Sequence, residues 1–254
     1  MNYLIKANAN LKSMFPDKHI PITLNKIEPV YSRQLLSVNA DAKTKKGVKL
    51  GYLTGILYLA PANISGVNLC PGASLGCRAA CLFTAGRGAF YSVTRQRVIK
   101  TLAYHMDKPR FIASLSNSIR LVVNKANKLG MLPAIRLNGT SDIMWEHVAP
   151  QLFTEFSSIQ FYDYTKIYGR MNSVLPFNYD LTFSQHETNA KLAGRVTKDG
   201  GRIAVVFNKI PKQAIDGDTH DLRFLDRKGV VIGLKAKGRA RHDKTGFVIQ
   251  MGDL

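Results

Sequence analysis

The stretch "RIAVVFNK", residues 202 to 209, contains an unbroken apolar run that ends at the polar pair Asn208 and Lys209. A short continuous run of this kind, rich in β-branched residues, is typical of a strand that is buried on both faces. Such strands occur in parallel sheets that are covered by helices. The run therefore predicts an α/β fold.

Strand and helix patterns alternate on both sides of this run. Further strands are predicted in "VKLGYLTGILYLAP" (48–61), "AIRLNGTSD" (134–142), "IQFYDYTK" (159–166), "YDLTFSQ" (179–185) and "VVIGLKAKG" (230–238). Helices are predicted over 92–107, 109–129, 144–158 and 187–201. We expect a single domain over 1–254, with a peripheral extension over 1–45. A lysine-containing turn, "DAKTKKG" (41–47), is expected just before the first confident strand. Residues 46–250 are expected to form a full or partial (β/α) barrel-like parallel sheet with a cysteine-rich loop after its first strand.

Polar side chains follow nearly every predicted strand. The candidates at these strand ends are Asn138, Gly139, Asp142, Asp163, Lys166, Ser184, Lys235 and Lys237. Because the carboxyl ends of barrel strands build one mouth, we expect these residues to converge there. The candidate catalytic residues are Asp142, Asp163 and Lys166, of which the aspartates would orient a ligand or move a proton. The candidate cofactor-binding residues are Asn138, Gly139, Ser184, Lys235 and Lys237, and an anionic group would be held by Lys166, Lys235 and Lys237. The competing interpretation is that such residues cap helices and loops.

All of the chain's cysteines, Cys70, Cys77 and Cys81, lie in "LCPGASLGCRAACLFTAGRG" (69–88). If a helix begins near Gly76, Cys77 and Cys81 lie one turn apart on one face, and Cys70 reaches in from the preceding loop. Thiolates hold both zinc and iron–sulfur clusters. Structural zinc needs a fourth ligand, and no histidine stands at motif distance. The interpretation we favour is therefore a [4Fe-4S] cluster on three cysteines with one open iron; zinc and metal-free thiols remain alternatives.

The charge balance is strongly basic, with 36 Lys plus Arg against 17 Asp plus Glu and a formal net charge of +19. Such a field attracts nucleic acid or another polyanion. The stretch "LKAKGRARHDK" (234–244) would, if extended, place Lys235, Lys237, Arg239 and Arg241 on one face. A basic edge strand that only discourages aggregation has the same pattern. The alternative function is accordingly a nucleic-acid-binding protein with a structural iron–sulfur or zinc site.

Two further patterns bear on function and location. "DGDTHD" (216–221) is a weaker candidate for a divalent-metal site on Asp216, Asp218, His220 and Asp221. The sequence has no signal-peptide pattern and no apolar run of membrane-spanning length. We therefore expect no membrane association and a cytoplasmic location, with the oligomeric state open.

Several of these stretches together resemble a known family. "GYLTGILYLAPA", the cysteine stretch, "RLNGTSDI", "FYDYTKI", "LTFS", "IDGDTHDLRFLD" and "VIGLKAKG" are similar to the phage-encoded proteins called gene product eighty-eight, over roughly residues 38–250. That resemblance implies a phage or prophage origin and no particular reaction. With such an origin, the expected cytoplasmic location is that of the host cell.

A looser resemblance is to the radical S-adenosylmethionine enzymes, which are partial (β/α) barrels with three cysteines after the first strand. It implies a [4Fe-4S] cluster on Cys70, Cys77 and Cys81, and S-adenosylmethionine bound near Asn138, Gly139 and Asp142. The cysteine spacing and the lack of a Gly-Gly-Glu stretch depart from that family, so whether the protein is an enzyme of this kind stays open.

Overall fold

The computed structural model describes residues 2–38 and 42–252. Its centre is a nine-stranded, mostly parallel sheet. The strands are β1 (Leu36–Val38), β2 (Tyr52–Leu57), β3 (Leu132–Arg136), β4 (Gln160–Thr165), β5 (Tyr179–Ser184), β6 (Ile203–Phe207), β7 (Ile215–Asp216), β8 (Val231–Lys235) and β9 (Val248–Ile249). The α-helices are α1 (Asn2–Met14), α2 (Leu24–Ile27), α3 (Ala42–Val48), α4 (Leu75–Ala79), α5 (Tyr91–Met106), α6 (Lys108–Lys128), α7 (Trp145–Val148), α8 (Gln151–Glu155), α9 (Tyr168–Met171) and α10 (Ala190–Lys198).

The strand order is β1-β2-β3-β4-β5-β6-β8-β7, with β9 beside the end of β6. β1 runs antiparallel to β2, whereas the other pairs are parallel. The predicted α/β class is thereby confirmed. Within residues 2–38 and 42–252 no pairing joins β7 back to β1, so closure into a full barrel is not confirmed.

The two faces of the sheet carry different residues. On one face Leu53, Ile135 and Phe161 join the main hydrophobic core with α5 and α6. The opposite face carries Tyr162, which packs with Leu222 of the loop that follows β7. Because side chains alternate along a strand, the helix-covered face is apolar and the other face is partly polar.

The N-terminal segment, which the sequence suggested would lie at the periphery, contributes to the main core. Ala7, Leu11, Ile22 and Leu35 are all buried in it, and β1 extends the sheet by pairing with β2. The cysteine stretch consequently follows the second strand and not the first. The "DAKTKKG" stretch (41–47), which was expected to be a turn, is a helix over Ala42–Val48. Asp41 lies outside the described residues.

Helix bounds agree with the sequence where the apolar periodicity is long. α5 and α6 each lie within one residue of the predicted spans. The helix predicted over 144–158 is instead two short helices, because Pro150 has no backbone N–H to continue the hydrogen-bond ladder. In the described part of the chain, every helix is too short or too polar to cross a bilayer.

Candidate functional site

Residues 70–90, which we call the cysteine segment, lie over the carboxyl ends of β3, β4 and β5 and reach the turn that follows β8. The segment enters beside the β3 end, where the Cys70 thiol donates to the Thr140 carbonyl at 3.6 Å. Near the β4 end it passes Lys166 so closely that a Cβ added to Gly72 would lie 3.1 Å from the Lys166 Cβ. The segment therefore lies directly over the strand ends on which the predicted site residues were placed.

A carboxylate holds the middle of the cysteine segment. Glu187, just after β5, accepts hydrogen bonds from the Ser74 hydroxyl at 2.7 Å and from the Gly76 backbone N–H at 2.8 Å. Ser74 in turn caps α4 by accepting from the Cys77 N–H. Burial opposes ionisation of Glu187, but these hydrogen bonds hold the pKa of its carboxyl below the ordinary value. Glu187 is thus an anchor for the segment, fixed to its backbone.

The far end of the cysteine segment packs against the turn that follows β8. Gly238, with φ of 55°, brings its backbone against Ala85, where an added Cβ would lie 3.0 Å from the Ala85 Cα. Ala80 packs in one small apolar cluster with Ala236 and Ala240. This contact joins the cysteine segment to the basic stretch 235–244, which we call the basic turn.

The cysteines do not have the arrangement that the sequence predicted. α4 ends at Ala79, and Cys81 has the extended dihedral angles φ −55° and ψ 137°. Cys77 and Cys81 therefore do not lie one turn apart on a common helix face. The prediction was wrong because the first helical turn is not continued past Ala80.

The prediction that Cys70, Cys77 and Cys81 hold a [4Fe-4S] cluster or zinc is also wrong. Among residues 2–38 and 42–252, no group of three or more His, Cys, Asp or Glu side chains is placed to hold a metal ion. Burial raises the pKa of Cys70 to about 12 and raises that of Cys81 as well. These surroundings favour the protonated thiol. The Cys70 sulfur also accepts from the Ala62 N–H at 3.4 Å.

The candidate divalent-metal site on the "DGDTHD" stretch is excluded by the same finding for the described residues. The Asp218 carboxylate pairs with the Lys237 ammonium at 2.7 Å and accepts from the Lys235 N–H at 3.2 Å. Asp221 accepts from Arg136 at 3.0 Å and from the Tyr162 hydroxyl at 3.2 Å. These carboxylates are therefore bound by cations and backbone within the protein.

Asp142 takes part in a buried ion cluster around Arg170. One carboxylate oxygen pairs with Arg170 at 2.9 Å, and the other accepts from the Lys166 backbone N–H at 2.8 Å. Glu146 binds the same guanidinium through both oxygens, at 2.7 and 2.8 Å. This geometry ties the loop after β3 to the loop after β4, and a catalytic role for Asp142 stays a prediction.

Asp163 and Asn138 form a second buried cluster next to the first. Asp163 accepts from the Asn138 N–H at 2.7 Å and from the Tyr179 hydroxyl at 2.8 Å. The Asn138 amide oxygen accepts from Ser141 and from the Ile143 N–H, both at 2.9 Å. Burial raises the pKa of Asp163 to about 7, against the lowering influence of Arg136. The cluster satisfies its members internally, and their predicted catalytic and cofactor-binding roles stay predictions.

Gly139 and Lys166 occupy different surroundings. A Cβ added to Gly139 would lie 2.6 Å from a Tyr58 ring carbon and 2.8 Å from the Leu57 carbonyl oxygen, so close packing accounts for this glycine. The Lys166 ammonium donates to the Ser184 hydroxyl at 2.8 Å. The predicted residues at the ends of β4 and β5 are thus brought together.

The basic turn is only partly extended. β8 ends at Lys235, and residues Gly238–His242 form a 3₁₀ helix. The expected alternating stripe is therefore wrong beyond Lys235, and Lys237 is engaged by Asp218. Arg239, Arg241 and Lys244 are exposed, and none of them forms an ion pair with a described residue.

A cleft of about 320 Å³ opens beside this turn. Its lining is Ala79, Ala80, Arg239, His242, Asp243, Lys244 and Thr245. Asp243, the one carboxylate in that lining, accepts from the Val248 N–H at 3.0 Å and from the Thr245 hydroxyl at 2.7 Å. Burial opposes ionisation of Asp243, but these hydrogen bonds lower the pKa of its carboxyl. The cleft therefore presents cations, while its carboxylate is bound by the protein.

Sequence reasoning missed Arg170 and Glu187. Arg170 stands alone in a short helix, and no spacing pattern connects it with Asp142 or Glu146. Glu187 directly follows the polar cluster at the end of β5, so extending that cluster by one residue would have included it.

The fold and this edge define an α/β protein whose strand ends are covered by a cysteine-containing segment and bordered by a basic turn. The chain belongs to the phage family Gene product 88, whose model matches residues 32–251. No curated protein and no solved structure matches the chain. The resemblance to radical S-adenosylmethionine enzymes is not confirmed.

Proposed function

We propose that this protein binds nucleic acid through phosphate contacts on the basic turn at the carboxyl edge of its sheet. The observation that carries the proposal is the exposure of Arg239, Arg241 and Lys244 beside the cleft, with no ion-pair partner among the described residues. Lys and Arg that lack protein partners are the groups that neutralise backbone phosphates.

The distribution of charge supports this proposal. Four carboxylates are buried inside the protein, where they bind Arg170, Arg136 and neighbouring polar groups; they are Asp142, Glu146, Asp163 and Asp221. Buried carboxylates paired in this way add little negative charge to the surface. Four arginines, Arg97, Arg170, Arg202 and Arg223, are buried as well, so the buried charges cancel and burial leaves the formal excess of +19 unchanged.

The backbone that carries the cations of the basic turn is held in place by packing against the cysteine segment. Ala236 and Ala240 are buried against Ala80 and Phe247, and the Arg239 N–H lies 3.4 Å from the Thr84 hydroxyl of the cysteine segment. A positioned turn loses less conformational entropy on binding than a flexible tail does.

Exposed apolar groups on the cysteine segment favour a single strand over a duplex. Phe90 is 59% exposed and Leu82 is 57% exposed. An exposed aromatic ring on a strongly basic protein provides a surface on which an unpaired base stacks. We therefore expect single-stranded nucleic acid to bind more tightly than a duplex of the same length.

The test is fluorescence anisotropy with labelled single-stranded and duplex DNA of mixed sequence. The triple variant Arg239→Ala, Arg241→Ala, Lys244→Ala is expected to bind single strands at least about tenfold more weakly than wild type. The matched control removes three cations from the opposite end of the sheet, Lys125, Lys128 and Lys198, which end α6 and α10.

The control triple variant is expected to stay within about threefold of wild type. Equal losses in both triple variants would mean that net charge alone governs binding, and the assignment to the basic turn would then be wrong. No binding by the wild-type protein at low salt would contradict the proposed function itself.

A further inference from the structure

A cavity of about 480 Å³ lies between α5 and the segment that runs from α2 to β1. Its lining is Asn25, Lys26, Pro29, Val30, Arg33, Gln34, Leu35, Ser37, Arg95, Gln96, Ile99 and Lys100. Its size is typical of cavities that take small ligands. It shares no lining residue with the cleft at the basic turn.

The ionisable groups that line this cavity all carry the same sign. They are Lys26, Arg33, Arg95 and Lys100, and the lining contains no aspartate or glutamate. None of the four forms an ion pair with a residue in 2–38 or 42–252. Four cations around one cavity repel one another, and an anion placed among them would relieve that repulsion.

Two of these cations keep unused hydrogen-bond donors. The Lys100 ammonium donates to one acceptor, the Leu35 carbonyl, at 3.3 Å. Arg95 donates through Nε to the Ile20 carbonyl at 3.2 Å and through one Nη to the Pro21 carbonyl at 3.4 Å. Since an ammonium has three N–H groups and a guanidinium has five, both side chains retain donors for a ligand.

The surroundings of Lys100 disfavour the charged form of its side chain. Burial, with a smaller contribution from Arg97 on the same helix, lowers the pKa of Lys100 to about 8. Arg97 faces the Tyr58 ring, with its guanidinium carbon 5.0 Å from the ring centroid. An anion bound in the cavity would stabilise the charged form of Lys100 and raise this pKa.

We propose that this cavity binds a small phosphate-bearing ligand, held by Lys26, Arg33, Arg95 and Lys100. Arginine and lysine together match the several oxygens of a phosphate group, which accept from many donors at once. The amides of Asn25, Gln34 and Gln96 are placed to orient the remainder of the ligand, and Val30 and Ile99 give it apolar contacts.

The experiment is isothermal titration calorimetry of the full chain with inorganic phosphate, pyrophosphate and a single-stranded oligonucleotide. Pyrophosphate is expected to bind, and the Lys100→Met variant is expected to bind it at least about tenfold more weakly. The double variant Lys26→Ala, Arg33→Ala changes only exposed residues and is expected to show a similar loss even if Lys100→Met fails to fold. The matched control is Lys125→Ala, Lys128→Ala.

The outcomes separate this site from the basic turn. The triple variant of the basic turn is expected to keep its pyrophosphate affinity while it loses oligonucleotide affinity. Pyrophosphate affinity is also expected to fall above about pH 8, where Lys100 loses its proton. The proposal is overturned if neither phosphate nor pyrophosphate binds, or if the cavity double variant binds pyrophosphate like the control. It is also overturned if the cavity variants lose affinity for the oligonucleotide but not for pyrophosphate.

Discussion

Arg170 lies in the interior, 2% exposed, with its guanidinium between Asp142 and Glu146 and 3.0 Å from the Tyr179 hydroxyl. Removing a cation from such a cluster leaves two buried carboxylates without a counter-charge. We expect Arg170→Ala to lower the free energy of unfolding by about 3 to 5 kcal/mol, measured by urea denaturation.

The control for Arg170 is Arg120→Ala, which breaks the exposed pair with Glu155. An exposed pair of this kind contributes about 1 kcal/mol or less, so the control should lose little stability. Equal losses in the two variants would contradict a structural role for the Arg170 cluster.

Asp163 gives the stability of the protein a dependence on pH. Its pKa in the folded protein is about 7, above the ordinary value of 3.8, because it is buried. Between these two values the folded state holds a proton that the unfolded chain has released. The free energy of unfolding should therefore fall as pH rises from about 4 to about 7, by at most about 1.4 kcal/mol per pH unit from this group.

The measurement for Asp163 is urea denaturation at several pH values. The Asp163→Asn variant should lose this component of the pH dependence, whereas Asp199→Asn, which alters an exposed residue, should keep it. Parallel pH profiles for wild type and Asp163→Asn would show that the buried carboxyl does not titrate in this range.

At the residue scale, the sequence indicated which polar residues lie at the same edge of the sheet, but it did not indicate their hydrogen-bond partners. Asn138, Asp142, Asp163 and Lys166 do gather at neighbouring strand ends, because parallel strands end at one edge. Their hydrogen bonds run mostly to one another and to Arg170, a contact between distant parts of the chain that no local spacing encodes. The clustering of the cysteines predicted a metal site. Their spacing along the sequence did not reveal that α4 ends before Cys81.

At the element scale, the position of the cysteine segment depends on Glu187. Its two hydrogen bonds, to Ser74 and Gly76, join the middle of the segment to the end of β5. We expect Glu187→Ala to increase local opening of the segment and so to raise the rate at which Cys77 and Cys81 react with iodoacetamide. Mass spectrometry of the alkylated peptides measures the rate at each cysteine.

The control for Glu187 is Glu155→Ala, which removes a carboxylate that is bound to Arg120 and Ser116 away from the cysteine segment. This variant should alkylate at the wild-type rate. Unchanged rates in Glu187→Ala would show that other contacts, such as that between Gly238 and Ala85, are enough to hold the segment.

The elements that the sequence predicted best are those with long periodic patterns. α5 and α6 agree with their predicted spans because the apolar face of each repeats over several turns. The segment over 1–45 was harder to interpret, since its buried residues, such as Ala7 and Leu11, are spread among polar ones. The basic turn was misjudged because alternating residues suggested a strand where Gly238, at positive φ, begins a 3₁₀ helix.

At the scale of the whole molecule, the charge is divided between interior and surface. The carboxylates of the ion clusters lie inside together with their partners Arg136 and Arg170, so these charges cancel, whereas the cations of the basic turn lie outside. Composition predicted the excess of positive charge, but only the structure separates the paired cations from the exposed ones. This separation is the basis of the proposed nucleic-acid binding.

The salt dependence of single-stranded DNA binding tests this central claim most directly. Each phosphate contact lowers the logarithm of the binding constant by about 0.7 per tenfold increase in salt concentration. Wild type should show a steep slope, the basic-turn triple variant a slope shallower by about 2, and the Lys125, Lys128, Lys198 control the wild-type slope. Identical slopes for wild type and the basic-turn variant, or no salt dependence in wild type, would contradict the claim.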